Sequence, residues 1–253
     1  MKYKLLALDV DDTIVPNGTN DLSPKVKKAL QDVSKKIHVS LVTARAKSNF
    51  ENILNLLELP PEYHVYENGA KIIDPHGEIV RDLHIPDVEV QKILNVTSKY
   101  FDEVGFCIDD HWNDDGQENV DTQHGVTGLS FTVKKDKYIP IIEKKLRDLP
   151  KKYSVYTGRH WLSPEWTGIL LFHANAQKGI GMHYIQTQLG IFADETIAVG
   201  DGATDLSMFE YAAVKVAVEN AEEQVKEKAN YIAPSVHEEG IIDVINKYIH
   251  GSE

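Results

Sequence analysis

Short apolar runs alternate with helix patterns near both ends of the chain. Leu5 to Val10 and Ile37 to Val42 are apolar runs, and a helix pattern over Lys47 to Leu57 follows the second run. Continuous apolar runs of this length indicate strands that are buried on both faces, as in a parallel sheet. The alternation resumes from Lys178 to Ile249, where the pattern predicts a helix over Asp205 to Ala212. We therefore predict an α/β fold with a doubly wound parallel sheet of the Rossmann-like kind.

The middle of the chain has a different order of elements. Between residues 83 and 175 a helix pattern is followed by two strand patterns, and this order occurs twice. It predicts an antiparallel sheet with two helices on one face. We therefore predict a core domain of residues 1–82 and 176–253, with an inserted α+β domain of residues 83–175, here called the cap.

Polar residues follow three of the predicted core strands. They are Asp9 and Asp11, Thr43 and Arg45, and Asp201 and Asp205. Doubly wound sheets bind ligands in a crevice at the carboxyl ends of their strands. We therefore expect these side chains to face one crevice.

Asp9 and Asp11 lie two positions apart at the end of the first strand, where an extended chain would turn both to the same side. One carboxylate of such a pair can attack phosphorus and form an aspartyl-phosphate. The other can protonate the leaving oxygen and then activate the hydrolytic water. We predict these catalytic roles, while the alternative for this pair alone is a solvated acidic turn.

Asp201 and Asp205 belong to a second acidic loop, Gly200 to Asp205. Carboxylates are hard oxygen ligands that suit Mg²⁺. Asp9, Asp11, Asp201 and Asp205 would repel one another in one crevice, so a bound cation would stabilise them. We predict a Mg²⁺ cofactor at these four residues; the alternative for the second loop alone is a helix N-terminus with favourable acidic residues.

Three further residues and one backbone amide suit phosphate binding. The Thr43 hydroxyl and the adjacent amide, that of Ala44, are predicted to hold phosphoryl oxygens. Arg45 can pair with an anion of the substrate. Lys178 begins a helix pattern and can stabilise the phosphoryl oxygens and the nucleophile as a point charge. Each alone is an ordinary strand-end or surface residue, but together they predict a phosphate site.

Four segments resemble the motifs of the haloacid dehalogenase-like superfamily, and most closely those of its Cof-type and sucrose-phosphatase-like branch. The segments are Asp9-Val10-Asp11-Asp12-Thr13, Thr43 within Leu41 to Arg45, Lys178-Gly179, and Gly200 to Asp205. Asn68-Gly69-Ala70 is similar to a segment that is common in this branch. Residues 83–175 stand where the branch carries its cap.

The resemblance implies a role for each motif residue. Asp9 would be the nucleophile and a Mg²⁺ ligand, and Asp11 would be the general acid/base and a ligand through its backbone carbonyl. Asp201 would be the third ligand, and Asp205 would support the site. Thr43 and Lys178 would bind the phosphoryl group, and Asn68 would contact the substrate. The carboxylate of Asp11 argues against dehalogenation, because dehalogenases of the family lack it. Thr204 stands where the family usually has Asn, and Leu170 stands where the branch often has an acid.

Composition restricts the partners. The formal net charge is −12, so nucleic acid and anionic membrane surfaces are not expected to bind. The one cysteine excludes an internal disulfide, and no apolar run approaches the ~20 residues of a spanning helix. We expect a cytoplasmic monomer or homodimer that acts on a small-molecule phosphate ester.

The cap is predicted to select the substrate. Two segments of the cap offer rings and hydrogen-bonding groups that suit a sugar, namely the loop from His111 to Gly125 and the segment from His160 to Thr167. The loop includes Trp112, Asn113, Asp114, Asp115 and His124. Packing of the aromatic rings is the alternative. We expect a sugar or polyol monophosphate as substrate. A phosphoglycolate-type phosphatase, a phosphomutase of the same superfamily and a catalytically silent binding module are the alternatives.

Overall fold

The computed structural model describes residues 2–113, 125–150, 152–160, 162–163 and 165–251. Its strands in chain order are β1 (Leu5–Leu8), β2 (His38–Leu41), β3 (His64–Tyr66), β4 (Lys71–Ile73), β5 (Ile79–Asp82), β6 (Glu103–Ile108), β7 (His111–Asn113), β8 (Gly128–Val133), β9 (Tyr153–Arg159), β10 (Thr167–His173), β11 (Thr196–Gly200), β12 (Val214–Val218) and β13 (Tyr231–Ala233). Its α-helices are α1 (Pro24–Val33), α2 (Lys47–Leu57), α3 (Asp87–Thr97), α4 (Ile139–Arg147), α5 (Lys178–Leu189), α6 (Leu206–Phe209), α7 (Glu223–Lys226) and α8 (Gly240–Ile245).

The main sheet is parallel and has the strand order β13-β12-β11-β1-β2. All four residues of β1 are fully buried, because this strand lies inside the sheet between β11 and β2 and is covered on both faces. Leu30 of α1, Phe50 of α2 and Met182 of α5 belong to the hydrophobic core around it. The α/β prediction with a doubly wound sheet is confirmed.

A second, antiparallel sheet has the order β7-β6-β8-β10-β9 and is here called the cap sheet. Side chains alternate across its strands, so Phe131 and Ile169 pack with Val90 of α3 and Ile142 of α4 in a separate hydrophobic core. The predicted cap of one sheet and two helices is therefore present. Its boundaries at residues 83 and 175 stay a prediction.

Two elements differ from the sequence prediction. A polar loop is predicted after Ile108, but His111–Asn113 pairs with β6 as a short strand. A helix is predicted over Asp205 to Ala212, but α6 covers only Leu206–Phe209. The Asp205 carboxylate accepts hydrogen bonds from the amides of Asp201 and Gly202, which holds the start of that segment in a 3₁₀ turn. In the described part of the chain, no helix has both the length and the hydropathy of a membrane span.

Candidate active site

A cleft of about 390 Å³ lies between the carboxyl ends of the core strands and the cap sheet. It contains the polar residues that follow β1, β2 and β11. The lining residues that the sequence predicts are Asp9, Asp11, Thr43, Ala44, Arg45, Lys178, Asp201 and Asp205. Trp112, Ser130, Tyr156, Gly158, Arg159, His160, Gly168 and Leu170 line it from the cap sheet side. The strand ends therefore meet in one crevice, as the sheet topology requires.

Lys178 links two of the carboxylates at the bottom of this cleft. Its ammonium group donates to Asp9 Oδ1 at 2.7 Å and to Asp205 Oδ1 at 2.6 Å. All three residues are buried. Buried charges are stable only when they are paired, so Lys178 offsets part of the repulsion between Asp9 and Asp205.

The loop after β11 holds Asp201 in place through the side chain of Asp205. Asp205 Oδ2 accepts the backbone amides of Asp201 and Gly202, each at 2.9 Å. The hydroxyl of Thr13 donates to Asp201 Oδ1 at 3.2 Å. A Cβ atom at position 200 would lie 2.4 Å from the Asp205 carboxyl carbon, so this turn requires a glycine there. The first and fourth motif segments are thus joined directly.

Burial and mutual repulsion favour the neutral form of the carboxylates. Burial, and then the charge of Asp205, raise the pKa of Asp9 to about 7, although Lys178 acts in the opposite direction. Burial, and then the charges of Asp9 and Asp205, raise the pKa of Asp201 well above its usual value. Burial alone would lower the pKa of Lys178, but Asp205 and Asp9 raise it, so the ammonium form is retained. The site therefore favours a further positive charge.

Asp11 is held by Arg45 in a bidentate ion pair. Arg45 Nε donates to Asp11 Oδ2 at 2.9 Å, and Arg45 Nη2 donates to Asp11 Oδ1 at 2.8 Å. The same guanidinium donates to the side chain of Asn20 and to the carbonyl of Thr19. The Arg45 side chain is only 8% exposed. Its geometry therefore favours a role in positioning Asp11, and the predicted contact with a substrate anion stays a prediction.

Thr43, Ala44 and Asn68 occupy different depths around the cleft. Thr43 is buried, and its hydroxyl oxygen accepts a hydrogen bond from the backbone amide of Arg45 at 3.1 Å. Ala44, the next residue, is half-buried. Asn68 is fully buried behind the lining, and its side-chain amide donates to the carbonyl of Ala176 at 3.2 Å. Its placement favours support of the loop that leads into α5, and the predicted substrate contact stays a prediction.

Residues 6–245 match the family model for haloacid dehalogenase-like hydrolases. The chain belongs to this family. The 5-amino-6-(5-phospho-D-ribitylamino)uracil phosphatases YcsE of Bacillus subtilis and YbjI of Escherichia coli are 24% and 26% identical to it. YcsE aligns over 97% of this chain and 96% of its own length, and YbjI over 98% and 97%. The predicted resemblance is therefore confirmed, and the chain is an enzyme of the phosphatase type.

A solved structure of the same fold is SMU.1108c from Streptococcus mutans UA159, with a TM-score of 0.82 and 20% identity. The likeness covers 98% of this chain and 99% of that protein. It therefore includes both the parallel sheet and the cap sheet.

Hydrolases of this family carry a divalent metal ion, and the carboxylates of this chain can hold one. Asp9, Asp201 and Asp205 each offer an oxygen atom, and these three atoms lie within 4.8 Å of one another. Both oxygens of Asp205 already accept hydrogen bonds, from Lys178 on one side and from backbone amides on the other. Asp9 and Asp201 therefore have more freedom to act as ligands, and Asp205 positions them.

The raised pKa of Asp9 predicts a pH-dependent stability of the metal-free protein. Between about pH 4 and about pH 7 the folded protein retains a proton that the unfolded chain has released, because the pKa rises from 3.8 to about 7 on folding. Stability should therefore fall as the pH rises through this window. The measurement is thermal unfolding of both proteins in the presence of chelator. The stability of Asp9→Asn relative to the unsubstituted protein should increase as the pH rises. A gain that is the same at pH 5 and pH 8 would contradict the prediction.

Substitution of Arg45 should separate its two possible roles. If Arg45 positions Asp11, Arg45→Lys should lower kcat by about 10²-fold with little change in KM, because lysine cannot form the bidentate pair. If Arg45 binds a substrate anion, KM should rise while kcat is retained. Steady-state kinetics on a generic aryl phosphate measure both. Arg147→Lys, at an exposed arginine that does not line the cleft, is the matched control and should change neither kcat nor KM.

The rim of the cleft contains functional candidates that the sequence did not indicate. Glu222, after β12, lines the cleft and accepts the backbone amide of Arg159 at 3.4 Å. A Cβ atom at position 158 would lie 2.6 Å from Glu222 Oε1, so Gly158 permits this approach. Asn220 accepts a hydrogen bond from Arg159 through its carbonyl and donates to the carbonyl of Asp12. These contacts join distant segments, and no motif marks them.

The predicted substrate loops are only partly within the described residues. Trp112 lines the cleft, and His160 is buried with its ring Nε2 at 2.9 Å from the Thr132 hydroxyl. Asp114, Asp115 and His124 lie outside the described residues, as does Trp161. Thr204 lines the cleft, and its carbonyl accepts the hydroxyl of Ser207 at 3.1 Å.

Proposed function

We propose that this enzyme is a Mg²⁺-dependent phosphatase that hydrolyses a sugar or polyol monophosphate through an aspartyl-phosphate at Asp9. The observation that carries the proposal is the convergence of Asp9, Asp11, Asp201 and Lys178 on one cleft. A binding protein has no need of a buried carboxylate with a raised pKa next to a second carboxylate and a buried lysine.

Asp9 has the environment of a nucleophile. Lys178 holds its Oδ1 atom, and the carboxylate lines the cleft, so the second oxygen can face a phosphorus atom. Attack by this oxygen forms the Asp9–phosphorus bond as the bond to the leaving oxygen breaks. Lys178 stabilises the charge that develops on the phosphoryl oxygens, together with the Thr43 hydroxyl and the Ala44 amide.

Asp11 transfers the protons. The leaving oxygen takes its proton from Asp11, and Asp11 then accepts a proton from the water that attacks the phosphorus. This second attack breaks the bond to Asp9 and releases inorganic phosphate. Asp11 must leave at least part of its pairing with Arg45 to reach the leaving oxygen, so Arg45 defines the resting position of the general acid/base.

Asp9 and Asp201 would hold Mg²⁺ through their carboxylates, and Asp11 through its backbone carbonyl. The ion would neutralise charge on the transferred phosphoryl group. Burial first, and then repulsion between the carboxylates, raise the pKa of Asp9 and of Asp201, and the charge of the ion would oppose both effects.

The cleft beyond the phosphoryl site favours a neutral, hydroxyl-bearing leaving group. Asp12, Glu222 and Arg159 line this part and together carry one net negative charge. A second anionic group on the substrate would be repelled, whereas hydroxyl groups can donate to the two carboxylates. Leu170 and Trp112 add an apolar wall. The relatives YcsE and YbjI are named for a substrate that contains a ribityl phosphate, which is a polyol monophosphate.

The test is a phosphate-release screen over phosphorylated metabolites, with Mg²⁺ and with chelator. We expect Mg²⁺-dependent release from neutral sugar or polyol monophosphates in preference to phosphoglycolate and bisphosphates. Preferred hydrolysis of phosphoglycolate would contradict the substrate class. An isomerised sugar phosphate without free phosphate would indicate a phosphomutase. If no phosphate ester in the screen is hydrolysed or isomerised, the protein would be a catalytically silent binding module.

A further inference from the structure

The hairpin of β6 and β7 in the cap sheet touches the core loop that is proposed to bind phosphate. The indole N–H of Trp112 donates to the carbonyl of Ala44 at 3.3 Å. The carbonyl of Asp110, in the turn of the hairpin, accepts the amide of Ser48 at 3.2 Å. The cap therefore contacts this loop at Ala44, between Thr43 and Arg45, and contacts the chain just after the loop at Ser48.

Helix α2 follows this loop and begins without a side-chain cap at Ala46. The first amides of a helix have no partner within the helix and need acceptors from elsewhere. Glu67 Oε1 accepts a hydrogen bond from the amide of Lys47 at 3.4 Å, and the Asp110 carbonyl accepts one from the amide of Ser48. The start of α2 is therefore completed by a residue of the cap hairpin.

The Asp110 side chain makes the same connection through charge. It accepts a hydrogen bond from Lys71 Nζ at 2.5 Å and lies 3.5 Å from Lys47 Nζ. Lys71 is buried, and its ammonium lies 3.9 Å from the fully buried carboxylate of Glu67. Although burial raises the pKa of Asp110, its bond to Lys71 and the charges of Lys71 and Lys47 lower it overall. The carboxylate of Asp110 is therefore a strong acceptor for both lysines.

The two residues of the hairpin turn differ in their contacts. Asp109 and Asp110 have φ angles of 48° and 67°, the left-handed conformation that a two-residue hairpin turn requires and that aspartate adopts more readily than most residues. Asp110 bonds to Lys71, Lys47 and Ser48, whereas the Asp109 side chain is exposed. Asp109 is therefore a matched position in the same turn that lacks the contacts of Asp110 with the core.

We propose that Asp110 is a positioning residue, which docks the β6–β7 hairpin between Lys71 and Lys47 and thereby orders the Thr43–Arg45 loop for phosphate. The proposal rests on the proposed function, because that loop is taken as the phosphoryl site. Asp110 acts through the first turn of α2 and its ion pairs, and the docked hairpin brings Trp112 to the Ala44 carbonyl; Asp110 itself does not touch the reacting atoms.

The first test does not depend on activity. Hydrogen exchange is compared in Asp110→Asn and in the matched variant Asp109→Asn, which removes one negative charge from the adjacent exposed residue. Asp110→Asn should speed exchange at least tenfold in a peptide spanning residues 44–50 and in the hairpin, while Asp109→Asn leaves both unchanged. Equal exchange in the two variants would overturn the docking role.

The second test measures phosphate binding by calorimetry with inorganic phosphate and Mg²⁺. Asp110→Asn should weaken phosphate binding about tenfold, and Trp112→Phe should do so to a similar extent because it removes the indole donor. The double variant should lose little more than either single one, since both act through the same loop. Additive losses, or unchanged affinity in Asp110→Asn, would overturn the positioning role. Absence of phosphate binding in the unsubstituted protein would instead contradict the proposed function, and the exchange experiment would still test the docking.

Discussion

Asp9→Asn should reduce Mg²⁺-dependent phosphate release by on the order of 10⁴-fold or more, because an amide cannot form the aspartyl-phosphate. The substitution keeps the shape of the side chain and leaves an oxygen that can accept from Lys178. The loss should therefore appear in kcat while the fold is retained. The measurement is the steady-state rate on the best substrate of the screen, with circular dichroism to confirm folding.

The matched control is Asp32→Asn, which makes the same chemical change on the exposed surface of α1, where Asp32 pairs with Lys28 and Lys35. Its activity should equal that of the unsubstituted enzyme, because exposed ion pairs contribute little. If Asp9→Asn kept activity within tenfold of this control, Asp9 would not be the nucleophile.

Lys178→Met should have the second largest effect and should change both activity and stability. It leaves the buried carboxylates of Asp9 and Asp205 without their cation, and breaking a buried pair costs about 3–5 kcal/mol. The loss of charge stabilisation at the phosphoryl group should lower kcat by about 10²–10³-fold. Denaturant unfolding and steady-state kinetics measure the two effects separately.

The double variant Lys178→Met/Asp205→Asn distinguishes the structural from the catalytic contribution. Removing the negative charge of Asp205 should restore part of the free energy of unfolding, because one unpaired buried charge disappears. It should not restore kcat, since the Lys178 ammonium that stabilises the charge on the phosphoryl oxygens is still missing. Recovery of activity together with stability would show that Lys178 acts only on the fold.

The position of the cleft could be predicted from the sequence because it depends on local signals and one topological rule. Apolar runs mark β1, β2 and β11, and polar residues follow each of them. Parallel strands present their carboxyl ends on one edge of the sheet, so Asp9, Thr43 and Asp201 had to lie near one another. The order helix-strand-strand, which occurs twice between residues 83 and 175, indicated the cap sheet and its two helices in the same way.

The partners of these residues could not be predicted, because they depend on long-range packing. Arg45 and Asp11 are 34 positions apart and meet beyond the ends of the adjacent strands β1 and β2. The Arg45 guanidinium also donates to the Asn20 side chain and to the Thr19 carbonyl. Asn68 has a polar side chain in a motif segment, yet tertiary packing buries it fully. The three-residue strand β7 is too short for a period to show, although it places Trp112 over the loop at Ala44.

The contacts at the rim of the cleft could not be predicted from the sequence either. Glu222 reaches Arg159 only because position 158 is a glycine, and this contact joins segments that are 63 positions apart. A single glycine within a strand pattern gives no sign of the residue that fills its space. The sequence therefore indicates the reaction more fully than the leaving group.

The most direct test of the account is chemical identification of the intermediate. The enzyme with Mg²⁺ is mixed with a ³²P-labelled monophosphate ester that the screen has identified, quenched in acid within milliseconds and digested. We predict that the label is acid-stable, is released by mild base, and lies on a peptide that contains Asp9, with no label in Asp9→Asn. Full turnover without a labelled peptide, or a label on a different residue, would contradict the account.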